Sequence, residues 1–193
     1  GSLGASGDLA ILAQLALTLL KNGLRLQAKE GLSLVNGLAA SLAYAVRGFF
    51  RAEQLMKLAD IVAAASVEGD QGSHKPFSEK ILALRPHAGI AATGENLRRL
   101  LKGSEINLSH AHCERVQDTY SFRCIPQVHG AAKETFHFVQ GVLEKELKGV
   151  SDNPLIFDGD EPVLSGGNFH GEMIAFACDF LSIALTELGA LSE

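Results

Sequence analysis

Apolar residues recur at three- and four-residue steps through most of the chain, the spacing of helices that bury one side. Leu9, Leu12, Ala13, Leu15, Ala16, Leu19 and Leu20 mark a first helix, with Asn22-Gly23 as its C-terminal cap. From about Ala28 to Ser66 nearly every residue is a helix former. Leu34, Leu38, Leu42, Val46, Phe49, Phe50, Leu55, Leu58 and Ile61 keep the helical step, so one long helix is expected there. Gly31, Gly37 and Gly48 lower its propensity, and none is expected to break it. A helix this long and apolar on more than one side needs neighbours all round, which predicts an oligomeric bundle.

Residues 68–87 read as a connection with a short helix from Phe77 to Leu82. Further helices are expected from about Ile90 to Lys102, His129 to Lys148 and Gly171 to Leu191, the first two closed by Gly103 and Gly149. Ile156-Phe157 and Val163-Leu164 flank Asp158-Gly159-Asp160, the pattern of a small β-hairpin. The expected fold is all-α, with long helices and that one hairpin, in a single domain over residues 1–193. No internal repeat or low-complexity segment interrupts it.

Composition narrows the picture. Of 193 residues, 47% are hydrophobic and 20% charged, a globular balance that a disordered chain would not have. The net charge of −5 and the lack of a basic run argue against nucleic acid. The longest uncharged stretch, Gly31 to Val46, is shorter than the roughly 18 residues a membrane span needs, so none is expected. Cys113, Cys124 and Cys178 are odd in number and far apart, which fits reduced thiols in the cytoplasm better than disulfides. No signal peptide is visible, and the chain opens at Gly1-Ser2 without Met.

Three polar, irregular stretches break the helical pattern: Gly1 to Asp8, Ser104 to Val128 and Ser165 to Gly171. Such segments, held between rigid helices, are where a scaffold places chemistry. The first can be read as a loop with Asp8 as N-cap, or as an anion cradle at a helix start. Its glycines do not have dinucleotide or P-loop spacing. A third reading takes Ala5-Ser6-Gly7 as a chemical precursor. Attack of the Gly7 amide nitrogen on the Ala5 carbonyl, with that oxygen leaving as water and a second water lost from Ser6, would leave a methylidene-imidazolone, an electrophile that no standard side chain supplies. Glycine tolerates the tight approach this needs.

In the second stretch Gln117, Tyr120 and Arg123 are three residues apart and would share a broad helical face. Arg can grip a carboxylate with two parallel hydrogen bonds, and Tyr can donate or accept a proton. The plainer reading is a solvated amphipathic turn. His110, His112 and Cys113 alternate like metal ligands, but no second cluster completes a tetrahedral set, so no metal is expected. In the third stretch, glycines around Phe169 would let the backbone approach a flat ring, or simply form a turn. Asn36, inside an apolar run, is either a satisfied core amide or a pocket residue.

Six strings, GSLGASGDLA, AKEGLSLVNG, ALRPHAG, HCERVQDTYSFRCIPQVHGA, SDNPLIF and LSGGNFHGE, together resemble the aromatic amino acid ammonia-lyase family, its histidine branch more than its phenylalanine branch. They follow in family order over nearly the whole chain. The resemblance implies an ammonia-lyase/fumarase-like helical fold, and condensation of Ala5, Ser6 and Gly7 to methylidene-imidazolone with no external cofactor. It implies that Arg123 binds the substrate carboxylate, that Tyr120 and Asn36 sit beside the ring, that Gln117 helps position the substrate and that Phe169 packs near it. The implied reaction converts L-histidine to trans-urocanate and ammonia in histidine catabolism. The electrophile would capture the substrate amine or, in another account, its imidazole ring. The implied assembly is a homotetramer with shared active sites, and no membrane partner.

The chain departs from the family pattern in several places. The family's N-terminal part, with a catalytic Tyr and a substrate-facing His, is absent, as is the C-terminal part with a Glu near the substrate ring. The connection from Lys21 to Lys29 is short, and Leu38-Ala39 stands where the family has Thr-Gln. Two other readings follow: an inactive helical assembly module of the same family, or a lyase or aminomutase for another aromatic amino acid.

Overall fold

The computed structural model describes residues 7–110 and 112–193. Eight α-helices, one 3₁₀ turn and one two-stranded sheet are formed among them. They are α1 (Leu9–Lys21), α2 (Glu30–Val35), α3 (Ala39–Gly69), the 3₁₀ turn Lys75–Phe77, α4 (Glu79–Leu82), α5 (Ala88–Leu100), α6 (Glu105–Ser109), α7 (Tyr120–Glu146), β1 (Leu155–Ile156), β2 (Val163–Leu164) and α8 (Glu172–Ser192). The expected all-α fold with one hairpin is what forms. β1 and β2 pair antiparallel, Leu155 opposite Leu164 and Ile156 opposite Val163. The Phe157 amide donates to the Pro162 carbonyl, and Gly159 supplies the positive φ of the turn.

Two expectations need correction. The stretch Ala28 to Ser66 is not one helix: α2 stops at Asn36, and α3 restarts at Ala39. Gly37, expected to be tolerated, lies in the break, where its carbonyl accepts the Asp8 amide and residues 7 and 151 crowd its backbone, as described below. The seventh helix starts at Tyr120 and not near His129, and it runs through Pro126. Proline in a helix interior costs one backbone hydrogen bond, a loss that packing on both sides can offset; Pro126 is fully buried.

The chain divides into two compact units, Gly1–Gly48 with Gln140–Cys178, and Phe49–Val139 with Asp179–Glu193. In the first, α1 packs on α2, and Leu12, Ala16, Leu38, Val142 and Ile174 are buried. In the second, the core joins Ala64 and Val67 of α3, Phe77, Leu97 and Leu101, and Ile125 of α7. Helices α5 and α7 cross where Gly89 meets Gly130: a Cβ on Gly89 would lie 2.2 Å from the Gly130 carbonyl oxygen. The Phe49 and Phe136 rings stack with centroids 4.1 Å apart.

The second unit also buries a polar network. Asp60 and His129 are 2% and 3% exposed, and the His129 ring Nδ1 lies 2.9 Å from the Asp60 carboxylate. Lys133 and Asn96 donate to the other carboxylate oxygen, and Lys133 also reaches the Thr93 hydroxyl. Burial alone would raise the Asp60 pKa. The hydrogen bonds from His129, Lys133 and Asn96 and the Lys133 charge outweigh it and hold the group below the ordinary carboxylate value.

Large apolar side chains stay exposed along α3 and α8, among them Tyr44, Phe50, Leu55, Ile61 and Ile183. The stretch 30–69 and α8 contain windows of mean hydropathy 1.2 and 1.7, long and apolar enough by composition to cross a membrane, a test that core helices of water-soluble proteins also meet. Counting only uncharged runs overlooked both.

Candidate active site

The first unit gathers two of the three irregular segments, together with Asn36. Ala5 and Ser6 lie outside the described residues, but Gly7 is placed. Its φ is +82°, and a Cβ there would meet the Gly37 carbonyl oxygen at 2.9 Å. Both facts exclude a side chain, so the third member of the proposed tripeptide must be glycine. The contact continues into Asp8, whose amide donates to the same carbonyl at 2.8 Å.

Asp8 occupies the N-cap position of α1 and its carbonyl accepts the Leu12 amide, but its side chain makes no capping hydrogen bond. Its buried carboxylate instead accepts from the Ser41 amide and hydroxyl, both at 2.6 Å. The start of α1 is thus clamped onto the start of α3, and Gly7 is pressed onto Gly37 between them.

Gly37 has no room on its other side either. A Cβ there would sit 2.7 Å from the Ser151 carbonyl oxygen. The Ser151 hydroxyl accepts from the Leu38 amide at 3.2 Å. Next to these, Asp152 accepts from Lys29 Nζ (2.7 Å), Ser33 Oγ (2.9 Å), Asn36 Nδ2 (3.2 Å) and the Asn153 amide (2.7 Å). Burial pushes its pKa up, but the bonds from Lys29, Asn153, Ser33 and Asn36 leave it below the ordinary carboxylate value. Asn36 is therefore no core amide in a helix; it ends α2 beside the segment that bears Gly7.

Phe169 follows on the same chain of contacts. The Gly166 amide donates to Asn153 Oδ1 at 2.7 Å, Asn168 Nδ2 reaches the Val150 carbonyl at 3.4 Å, and the His170 amide closes a turn onto Gly167. Phe169 is half-buried in this loop.

The second unit holds Gln117, Tyr120 and Arg123. Gln117 and Arg123 line a cavity of about 550 Å³, together with His74, His110, Arg115 and Gln127. Tyr120 opens α7 and is 73% exposed. Gln117 precedes the helix, so the expected single helical face holds for Tyr120 and Arg123 only. Arg123 Nε donates to the Asp118 carbonyl at 3.1 Å, which fixes the side chain. Its terminal nitrogens have no hydrogen bond among the described residues, so the fork is available to an anion. Asp118 is held in turn by the Ser73 amide at 2.7 Å. His110 and Cys113 face this cavity, but no three metal-ligand side chains gather among the described residues.

Sequence reasoning missed Ser41, Ser151, Asp152, Asn153 and Lys29. The one available signal was SDNP, a dense polar run between two helices, whose partners lie up to 123 residues away.

The chain matches the aromatic amino acid lyase family over residues 20–193. It is 45% identical to histidine ammonia-lyase from Anaeromyxobacter sp. (strain K), matching with all of its own length and 44% of that protein's. That match runs over 224 positions against 193 residues here, so the relative has internal residues this chain lacks. Among solved structures, histidine ammonia-lyase from Trypanosoma cruzi superposes with a TM-score of 0.78 at 40% identity, over 92% of this chain and 33% of that one. Tyrosine aminomutase from Streptomyces globisporus gives 0.83 at 35% identity, over 99% and 43%. The chain spans less than half the length of the curated relatives it matches. With its helical fold, its glycine-on-glycine contact at residues 7 and 37 and these matches, the chain belongs to the aromatic amino acid lyase family.

Proposed function

We propose that this chain is the central part of a carbon–nitrogen lyase that converts L-histidine to trans-urocanate and ammonia. The observation that carries the reading is Gly7, held at positive φ against Gly37 with no space for a side chain, directly after Ala5-Ser6. That backbone suits the ring closure of Ala5, Ser6 and Gly7 to methylidene-imidazolone, because the closing residue must be compressed and must lack a Cβ. The prosthetic group supplies the electrophile that turns the substrate amine into a leaving group.

The chain's own residues do the rest. The free fork of Arg123 binds the substrate carboxylate and Gln117, on the same cavity wall, assists in orienting it. Asn36 lies beside the segment bearing the tripeptide, and Phe169 packs on the flat side of the substrate. A proton leaves the β-carbon, its electron pair becomes the new double bond, and the nitrogen departs from the α-carbon as ammonia. Tyr120, exposed at the start of α7, is the proton-transfer group we assign from this chain. The apolar residues left exposed on α3 and α8 support assembly into a homotetramer that shares its sites.

The test is intact-protein mass, near-ultraviolet absorbance and product analysis. A deficit of two waters at Ala5-Ser6-Gly7, an added absorbance band and urocanate from L-histidine are expected. An uncyclised tripeptide in a persisting oligomer would instead make this a helical assembly module. The structural likeness to tyrosine aminomutase favours a second reading, in which the ammonia is returned to the neighbouring carbon; a β-amino acid formed from L-tyrosine would establish it.

A further inference from the structure

Asn36 makes its contacts in one direction only. Its Nδ2 donates to Asp152 Oδ1 at 3.2 Å and to the Asn153 carbonyl at 2.9 Å. The side-chain amide has two hydrogens, and both are spent on these two acceptors. The opposite rotamer is excluded by chemistry, since it would set the Asn36 carbonyl oxygen against a carboxylate and a peptide oxygen. Oδ1 is therefore turned the other way, and among the described residues no donor reaches it.

Asp152 is itself over-determined. Lys29 and Ser33 hold one carboxylate oxygen, while the other takes the Asn36 hydrogen and the Asn153 amide. Lys29, paired with Asp152, adopts a φ of +75° at the end of the short connection after α1, a conformation unfavourable for lysine. The Asn153 side chain meanwhile accepts from the Gly166 amide in the loop that carries Phe169.

We infer that Asp152 is a positioning residue: with the Asn153 carbonyl it fixes the Asn36 amide so that Asn36 meets a ligand only as a hydrogen-bond acceptor, for an N–H donor such as the amine of an amino acid. That a ligand faces Asn36 rests on the function proposed above; the cradle itself does not. An acceptor held in place beforehand spends no rotamer freedom when the amine arrives.

The experiment has one arm that needs no activity. In protein labelled with ¹⁵N-asparagine, the Asn36 side-chain hydrogens should exchange slowly. In Asp152→Ala they should exchange about tenfold faster, the factor that a lost hydrogen bond to a charged acceptor represents. Asn96, held by Asp60, serves as an internal control that should not move. Unchanged Asn36 exchange in Asp152→Ala overturns the inference.

The second arm reads turnover of L-histidine. Asp152→Ala should lower kcat about ten- to hundredfold, as misplacement of a site group does, with KM changed much less. Asp152→Asn keeps one acceptor oxygen and should recover part of the loss. With Asn36 already replaced by alanine, Asp152→Ala should lower kcat no further, because its effect runs through Asn36. An equal fall in both backgrounds assigns Asp152 a general structural role and overturns the inference. A protected Asn36 amide in native protein that forms neither the two-water deficit nor urocanate upholds the cradle and refutes the lyase reading.

Discussion

Asp60 and Asp152 are both carboxylates drawn below their ordinary pKa by a ring of donors, yet the two regions use them differently. Asp60 sits in the core of the second unit, and its partners His129, Lys133 and Asn96 come from α7 and α5. It joins three helices that also meet through apolar packing, the Gly89–Gly130 contact and a hydrogen bond from the Gly89 amide to Glu134. Asp152 lies in a loop of the first unit, only partly covered, and its partners converge on Asn36 and on the break between α2 and α3. The first network makes a scaffold; the second aims one amide. A buried charge such as Asp60 is tolerated only because every partner is present.

That contrast can be tested from the largest expected effect downward. Asp60→Ala strands Lys133 and His129 in a dry core, and breaking such a network costs about 3–5 kcal/mol. Chemical denaturation should show this loss or outright failure to fold, whereas Asp152→Ala should keep a cooperative transition. If the two variants lose equal stability, the distinction between scaffold and aiming network is wrong.

Gly37→Ala comes next. Its Cβ would meet the Ser151 carbonyl oxygen at 2.7 Å, so segment 151–153 must move, and Gly7 with it on the other side. We expect a loss of about 1–3 kcal/mol, typical of an overpacked site, and a larger effect on function: the two-water mass deficit should be abolished. A fully cyclised Gly37→Ala protein would show that the glycine contact does not compress the tripeptide.

The pH response should separate the two carboxylates more gently. Asp60 has its folded pKa below the unfolded one, so it contributes stability above the unfolded value of about 3.9 and loses it as pH falls toward the folded value. Denaturation midpoints should therefore drop as pH falls below about 5, and the drop should be shallower in Asp60→Asn. Asp152 acts in the same direction. The smallest effect is expected at Lys57, paired with Glu53 on the exposed side of α3. Lys57→Ala should change stability by less than about 0.5 kcal/mol in a melting experiment.

Much of this arrangement was legible in the residues. The first helix ends at Asn22-Gly23 because those residues stop helices anywhere, and the hairpin forms around Asp158-Gly159 for the same local reason. The tripeptide, Asn36 and the Gln117–Arg123 run were also visible, though their meaning came from the likeness of six strings to one family. Two helix boundaries were misjudged for opposite reasons. The polar run before His129 hid the first turns of a helix that tertiary packing stabilises through Pro126, and Gly37 was expected to be harmless in a helix that it helps to end.

What the residues determined alone is therefore what depends on near neighbours: helical periodicity, caps, turns and the positions of polar segments, since a helix closes its hydrogen bonds four residues apart. Tertiary structure alone decided that the Asp8 side chain grips Ser41 and not its own helix, that Asp152 accepts from Asn36, and that Asp60 joins Asn96 to His129. These partners stand 33 to 116 residues apart, and no local energy favours one such pairing over another. Only the packing of the helices brings each charge to donors that can replace the water it has lost.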